Sequence, residues 1–142
     1  MSHSIYFNFI IKSDKFSVYK AVSEPEHLEK WWPLKCSGIP QVGQEYNFNF
    51  TDKYDWYAEV KSCTQWDHIH YKMIKSDDDW NPTIFGFKLK EKENGICLNF
   101  FHEDWPKCNN HFKYSSFCWA ILLKGLKDYL EQGIIIPFED RS

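Results

Sequence analysis

Hydrophobic and polar residues alternate with period two at the start of the chain. Ile5, Phe7, Phe9 and Ile11 fall on one side, and Ser4, Tyr6 and Asn8 on the other. That spacing predicts a strand with one buried face. Ser13 and Asp14 then offer caps for a short helix carrying Val18, Ala21 and Val22. Ser23-Glu24-Pro25-Glu26 reads as a capping box with proline in the first turn. It opens a second short helix that runs through Leu28 to Trp31-Trp32 and closes at Pro33. Residues 34–43, punctuated by Gly38, Pro40 and Gly43, read as loop.

Five more alternating segments follow. Their inward sets are Tyr46, Phe48 and Phe50; Trp56, Ala58 and Val60; Ile69, Tyr71 and Met73; Thr83, Phe85, Phe87 and Leu89; and Ile96, Leu98, Phe100 and His102. Connections this short, such as the turn at Glu93-Asn94-Gly95, favour consecutive antiparallel pairing. The period then changes to that of a helix. Phe112, Trp119, Leu122, Leu123, Leu126 and Leu130 form one apolar stripe, and Gly133 marks its stop. A sheet with one buried face needs a cover, and this last helix is the only element large enough. The expectation is an α+β fold: a six-stranded antiparallel curved sheet wrapped on a long C-terminal helix, with two short helices after the first strand.

This order resembles the SRPBCC (START-like, helix-grip) superfamily, and within it the branch of activator of heat-shock-protein-90 ATPase homologues. The resemblance is carried by Val18-Tyr19-Lys20-Ala21-Val22, by Glu24-Pro25-Glu26-His27-Leu28 leading to Trp31-Trp32-Pro33, and by Val42-Gly43 with Tyr46 and Phe48. It continues in Gly95 to His102 and in Trp119 through Leu126 to Tyr129-Leu130-Glu131, so it covers roughly residues 5–131. It implies a single START-like domain over residues 1–142, with a cavity between sheet and last helix. Two positions depart from the branch. Cys118 stands where a glycine is usual, and the loop at Gly43 has one glycine where two are common. Superfamily members bind lipids, sterols, polyketides or plant metabolites, and some are cyclases, so the resemblance implies a ligand class and no one compound.

Composition sharpens the picture in one respect: 7 Trp, 8 Tyr and 12 Phe among 142 residues make any core or cavity a ring-lined one. The net charge is −3 with the signs mixed, and no basic stripe is present to neutralise phosphates, which argues against nucleic acid as a partner. Asp77-Asp78-Asp79 lacks a glutamate at calcium-loop spacing and reads as a solvated loop. Cys36, Cys63, Cys97, Cys108 and Cys118 are odd in number and without a C-x-x-C pair, as expected of free thiols in a reducing compartment. Neither a signal peptide nor an apolar run long enough to span a bilayer is legible, so the expected location is cytoplasmic.

The candidate ligand-binding residues are Trp31, Tyr46, Phe48, Trp56, Tyr71, Phe85, Phe87, Phe100, His102, Ser115 and Trp119. Aromatic residues pack as well as they bind, so the same set also describes a solid core. Ser115 and Ser116 are small and polar at the edges of the helix stripe, which leaves volume and hydroxyls in need of partners. His102 continues an inward alternation. It is either an acid or base near neutral pH, or a histidine hydrogen-bonded at a strand end. No inward carboxylate accompanies it, which argues against an enzyme. His68 and His70 share the outer strand face beside Lys72 without a third ligand, so neither a metal nor another cofactor is expected. Cys118 reads as a buried, inert thiol. Phe117 and Ile121, four apart on the back of the last helix, form an expected exposed pair suited to self-association. The leading expectation is a carrier, sensor or sequestering protein for a small apolar molecule. The alternatives are an interaction module that touches a chaperone, and an enzyme using His102.

Overall fold

The opening alternation forms strand β1 (His3–Ile11), with Ile5 and Ile11 buried, in a computed structural model that describes residues 2–141. Helix α1 (Lys15–Ser23) starts where Asp14 accepts the Ser17 backbone N–H at 2.8 Å. Helix α2 (Pro25–Leu28) is a single turn, continued toward the tryptophan pair by turns in which Trp31 N–H and Trp32 N–H both bond the Leu28 carbonyl. The expected capping box is absent. Ser23 is the last residue of α1 and donates its hydroxyl back to the Tyr19 carbonyl, so Glu24 is the N-cap of α2, without a side-chain bond. A hydroxyl that can back-bond to its own helix is drawn from the helix that follows.

Among the described residues the sheet has seven strands, one more than the alternation indicated. The addition is β2 (Lys35–Ser37), inside the stretch read as loop. The others are β3 (Glu45–Asn49), β4 (Asp55–Thr64), β5 (His68–Lys75), β6 (Ile84–Lys92) and β7 (Gly95–Trp105). Three residues are too few to show an alternation. β2 exists because Cys36 lies opposite Phe48 on the ladder of β3. The order is β1-β7-β6-β5-β4-β3-β2, antiparallel throughout, so β1 closes against the last strand rather than the next one. Register brings Phe7 opposite Phe100, Phe85 opposite His102 and Phe48 opposite Trp56, and these columns face the helix α3 (Asn110–Gln132). Asn109 caps the start of α3, and Gly133, at φ 71°, ends it in a left-handed conformation. This is a helix-grip arrangement. No helix among the described residues is long and apolar enough to cross a membrane.

The C-terminus of α1 is buried against the concave face of the sheet, which leaves its last carbonyls without helical partners. Three core rings supply them. Trp31 Nε1–H donates to the Ala21 carbonyl (2.9 Å), the Tyr71 hydroxyl to Val22 (2.7 Å) and the Tyr46 hydroxyl to Ser23 (2.5 Å). Arg141 ties down the other end of the chain. It is 8% exposed, and its guanidinium donates to the carbonyls of Glu29, Lys30, Trp32, Pro33 and Ile136. The tail from Gly133, which carries a 3-10 turn at Phe138–Asp140, is thereby held across the turns that follow α2.

Removing either phenolic hydroxyl would leave a buried carbonyl unpaired. Tyr46→Phe and Tyr71→Phe are each expected to lower the free energy of unfolding by about 1–3 kcal/mol, measured by urea denaturation. A loss near zero in both would show that those carbonyls need no partner.

Candidate functional site

Beyond the three capping rings the concave face does not fill. A cleft of about 500 Å³ opens between α3, the β3–β4 turn, the loop between β5 and β6, and the C-terminal tail. Its floor is Trp32, whose ring packs at 4.8 Å on Phe48, 4.9 Å on Trp119 and 5.3 Å on Phe85. The sheet side presents Phe50 and Trp56, and the β5–β6 loop presents Trp80 and Asp77. From α3 come Ser115, Cys118, Trp119 and Leu122, with His111 and Tyr114 one turn nearer its start. Phe138, Glu139 and Arg141 of the tail form the last wall. Four tryptophans therefore border one space. Trp56 and Trp80 stand 4.7 Å apart, and Trp80 lies 6.0 Å from Trp119 with the planes 25° apart.

A chain of buried hydrogen bonds fixes two of these indoles. Trp119 Nε1–H donates to His102 Nδ1 at 3.0 Å, which leaves the ring proton on Nε2. That proton goes to Thr83 Oγ1 at 2.9 Å, and the Thr83 hydroxyl closes the chain on the Trp80 carbonyl. The Trp80 indole N–H in turn donates to Ser115 Oγ at 3.3 Å. Loop, strand and helix are thus joined through one imidazole. Both His102 nitrogens are occupied and the residue is fully buried, so it has no free face for proton transfer to a substrate. Burial pushes its pKa down to about 3, with nearby His111 adding a smaller push in the same direction. Ring position is locked as well, since Trp80 and Trp105 both pack on the imidazole, at 4.6 and 4.9 Å.

Of the candidates named from the sequence, Trp56, Ser115 and Trp119 line the cleft. Trp31, Tyr46 and Tyr71 cap α1, and Phe48, Phe85, Phe87 and Phe100 are solid core beneath. His102 lies behind Trp119 and holds it. Trp32, Trp80, Leu122 and the tail residues are not among those candidates, and Phe50 figures only in an inward set. Of these, Trp32 carried a signal, since of two adjacent tryptophans after a short helix only one could face the α1 carbonyls. Trp80 carried none, because its loop has no period, and Asp79 fixes that loop by accepting from Asn109 Nδ2 (3.3 Å) and His111 Nδ1 (3.1 Å) at the start of α3. The triple aspartate read as a solvated loop thus anchors a wall through Asp79, and Asp77 lies on the cleft's lining.

Elsewhere, the expected exposed pair on α3 is split. Phe117 is 62% exposed, but Ile121 is half-buried beside Ile136, because the tail returns across that side of the helix. On the outer sheet face His68 spends both nitrogens on Asp67 (2.7 Å) and Ser62 (2.8 Å). His70 stacks edge-on to Phe101 at 4.8 Å, across Gly86, where a Cβ would meet both rings. All five cysteines are free, and burial raises the Cys118 thiol pKa.

Sheet, gripped helix and ring-walled cleft define a helix-grip protein of the type whose members bind hydrophobic ligands or act in co-chaperone-like roles. Residues 15–131 match the family described as activator of Hsp90 ATPase homolog 1-like protein, and the chain belongs to that family. Among solved structures it is similar to the Aha1 dimer from Colwellia psychrerythraea, at 26% identity and a TM-score of 0.84 over 92% of this chain and 98% of that one. It is also similar in fold to protein MLL2253 from Mesorhizobium loti (17%, TM-score 0.81, 94% and 100% covered). The same holds for protein SSP2350 from Staphylococcus saprophyticus (16%, TM-score 0.80, 95% and 96% covered). No curated protein matches the chain by sequence.

The state of His102 sets a pH dependence. Its folded pKa of about 3 lies below the ordinary 6.5, so as pH falls the unfolded chain takes up the proton first. The stability is therefore present above pH 6.5 and is lost progressively toward pH 3, by about 2 kcal/mol on reaching pH 5. His102→Gln keeps an acceptor for Trp119 and a donor for Thr83 without titrating. His70, whose pKa burial also lowers, is unchanged in both proteins. Urea unfolding at neutral pH and at about pH 5 should show the wild type losing the extra stability and the variant not. Equal losses would mean that His102 is not the group responsible.

Proposed function

We propose that the chain binds a small, ring-bearing apolar molecule in the cleft beside α3, as a carrier, sensor or sequestering protein. The observation that carries this reading is the volume left beside Trp32, Trp56, Trp80 and Trp119, a size suited to one drug-sized molecule. Core rings are normally packed to native density. Here the side chains of Phe50, Trp56 and Leu122 are left half-buried along one open space, while the concave face on the other side of Trp32 is closed. The residues that would contact the molecule are Trp32, Phe50, Trp56, Trp80, Cys118 and Trp119, with the Ser115 hydroxyl as an orienting group. The five free thiols support a reducing, cytoplasmic setting. The whole chain is read as one START-like domain, with no catalytic role for His102, whose ring nitrogens are both bonded.

A second reading, an interaction module of co-chaperone type, is favoured by the family description and by the dimeric Colwellia relative. Tyr114 and Phe117, 59% and 62% exposed on α3, are the residues that would meet a chaperone or a second copy.

Native mass spectrometry of the purified protein, before and after denaturation, separates the readings. An excess mass lost on unfolding supports the cleft, and extraction gives the class of compound. Cys118→Phe should fill the cleft from α3, abolish that excess mass and leave the fold intact by circular dichroism. Excess mass retained in Cys118→Phe would place the compound elsewhere, and a bare wild-type mass that no apolar compound changes would count against the reading.

A further inference from the structure

Five residues on the cleft's lining are more than nine-tenths buried: Trp32, Trp80, Ser115, Trp119 and Arg141. Their polar groups are nearly all hydrogen-bond donors. Trp80 gives its indole N–H to Ser115 Oγ, and Trp119 gives its own to His102 Nδ1. Arg141 donates to five backbone carbonyls and keeps its positive charge and one Nη2–H. Two further donors have no acceptor. One is the Ser115 hydroxyl, whose oxygen accepts from Trp80. The Ser23 hydroxyl donates one turn back along its helix, and Ser115 makes no such bond among the described residues. The other is the Trp32 indole N–H. Trp105 Nε1 is the one unpaired side-chain nitrogen or oxygen among the described residues that is sealed from solvent. The Trp32 N–H is also unpaired, so it lies in the 4% of that residue still accessible, and the cleft is where Trp32 opens.

The acceptors on the lining are placed differently. Thr51 and Glu139 are exposed, and Asp77 and His111 are half-buried, so water can serve them at the rim. The Trp32 and Ser115 donors lie deeper, and a hydrocarbon that fills the cleft would strip their water and leave both unpaired. A buried donor without a partner is costly, and a site built around donors therefore rejects a molecule that lacks the matching acceptor. Resting on the reading that the cleft holds a ring-bearing apolar molecule, we propose that its occupant carries a carbonyl oxygen on its ring system, and that Trp32 Nε1–H and the Ser115 hydroxyl select for that oxygen. The Trp32 and Trp119 rings, 4.9 Å apart, stand side by side on the lining, and Ser115 lies one helical turn before Trp119. Both donors thus border the part of the cleft where an aromatic ketone would rest on the indoles.

The test uses two pairs of probes, each differing by a carbonyl in place of a methylene: fluorenone with fluorene, and benzophenone with diphenylmethane. In equilibrium dialysis against the full chain, each ketone should bind roughly tenfold more tightly than its hydrocarbon. Trp32→Phe keeps a ring and removes the N–H, and there the preference should fall to about twofold or less. Trp32 is also the floor of the cleft, so circular dichroism checks the variant's fold, and the wild type supplies an independent readout. In its NMR spectrum the Trp32 indole proton should move downfield with fluorenone and not with fluorene. Equal binding of ketone and hydrocarbon, a preference that survives in folded Trp32→Phe, or an indole proton that answers both probes alike would overturn the acceptor selectivity and leave the cleft's use intact. Failure of both pairs to bind would overturn both.

Discussion

Three carbonyl oxygens at the end of α1 govern how the inside of this protein is divided. A helix end buried against a sheet must find donors there, because an unpaired carbonyl in such a place costs as much as a lost hydrogen bond. Trp31, Tyr71 and Tyr46 are those donors, from three different segments. Their rings are held where their polar atoms must be, and the half of the concave face that they occupy becomes solid. The rings of Phe48 and Phe85 pack on Tyr71 at 5.7 and 5.0 Å and extend that solid half to Trp32. Past Trp32 no α1 carbonyl needs a donor, and it is there that the space stays open.

The open half is held by polar bonds of another kind. His102 is neutral because burial makes its charged form costly, and a neutral imidazole offers one donor and one acceptor. It uses the acceptor on Trp119 of α3 and the donor on Thr83, next to the loop that carries Trp80. The Trp80–Ser115 bond returns from that loop to the helix. Two walls of the cleft are thus pinned at a fixed separation by groups that do not themselves face it. A residue that resembles a catalytic base in the sequence is here a spacer between two walls of the cleft.

The C-terminal tail completes the third wall by different means. It has no strand or long helix, and it stays in place because Arg141 caps the carbonyls of Glu29, Lys30, Trp32 and Pro33. Those carbonyls follow α2 and would otherwise be shielded from water without partners. One side chain therefore positions Phe138 and Glu139 at the mouth and covers Ile121. The family membership and the shared fold with the Colwellia, Mesorhizobium and Staphylococcus proteins concern the sheet and its helix.

Alternation in the chain was enough to determine β1, β3 to β7 and α3, because strands and helices buried on one side must repeat their apolar residues at the period of the backbone. It also marked the inward faces: Tyr46, Phe48, Tyr71, Phe85, Phe87, Phe100, His102 and Trp119 are all buried. What period cannot encode is the difference between a ring that caps, a ring that fills and a ring that borders a space. Tyr46 and Trp56 look alike in the sequence, and only the position of α1 across the sheet gives one a carbonyl and the other an opening. β2, the Trp80 loop and the tail have no period at all. Their places come from partners distant in the chain, Phe48 for Cys36, His111 for Asp79 and the turns after α2 for Arg141. The sequence determined which residues turn inward, and the tertiary structure decided which of them cap a helix end, which fill the core and which border an open space.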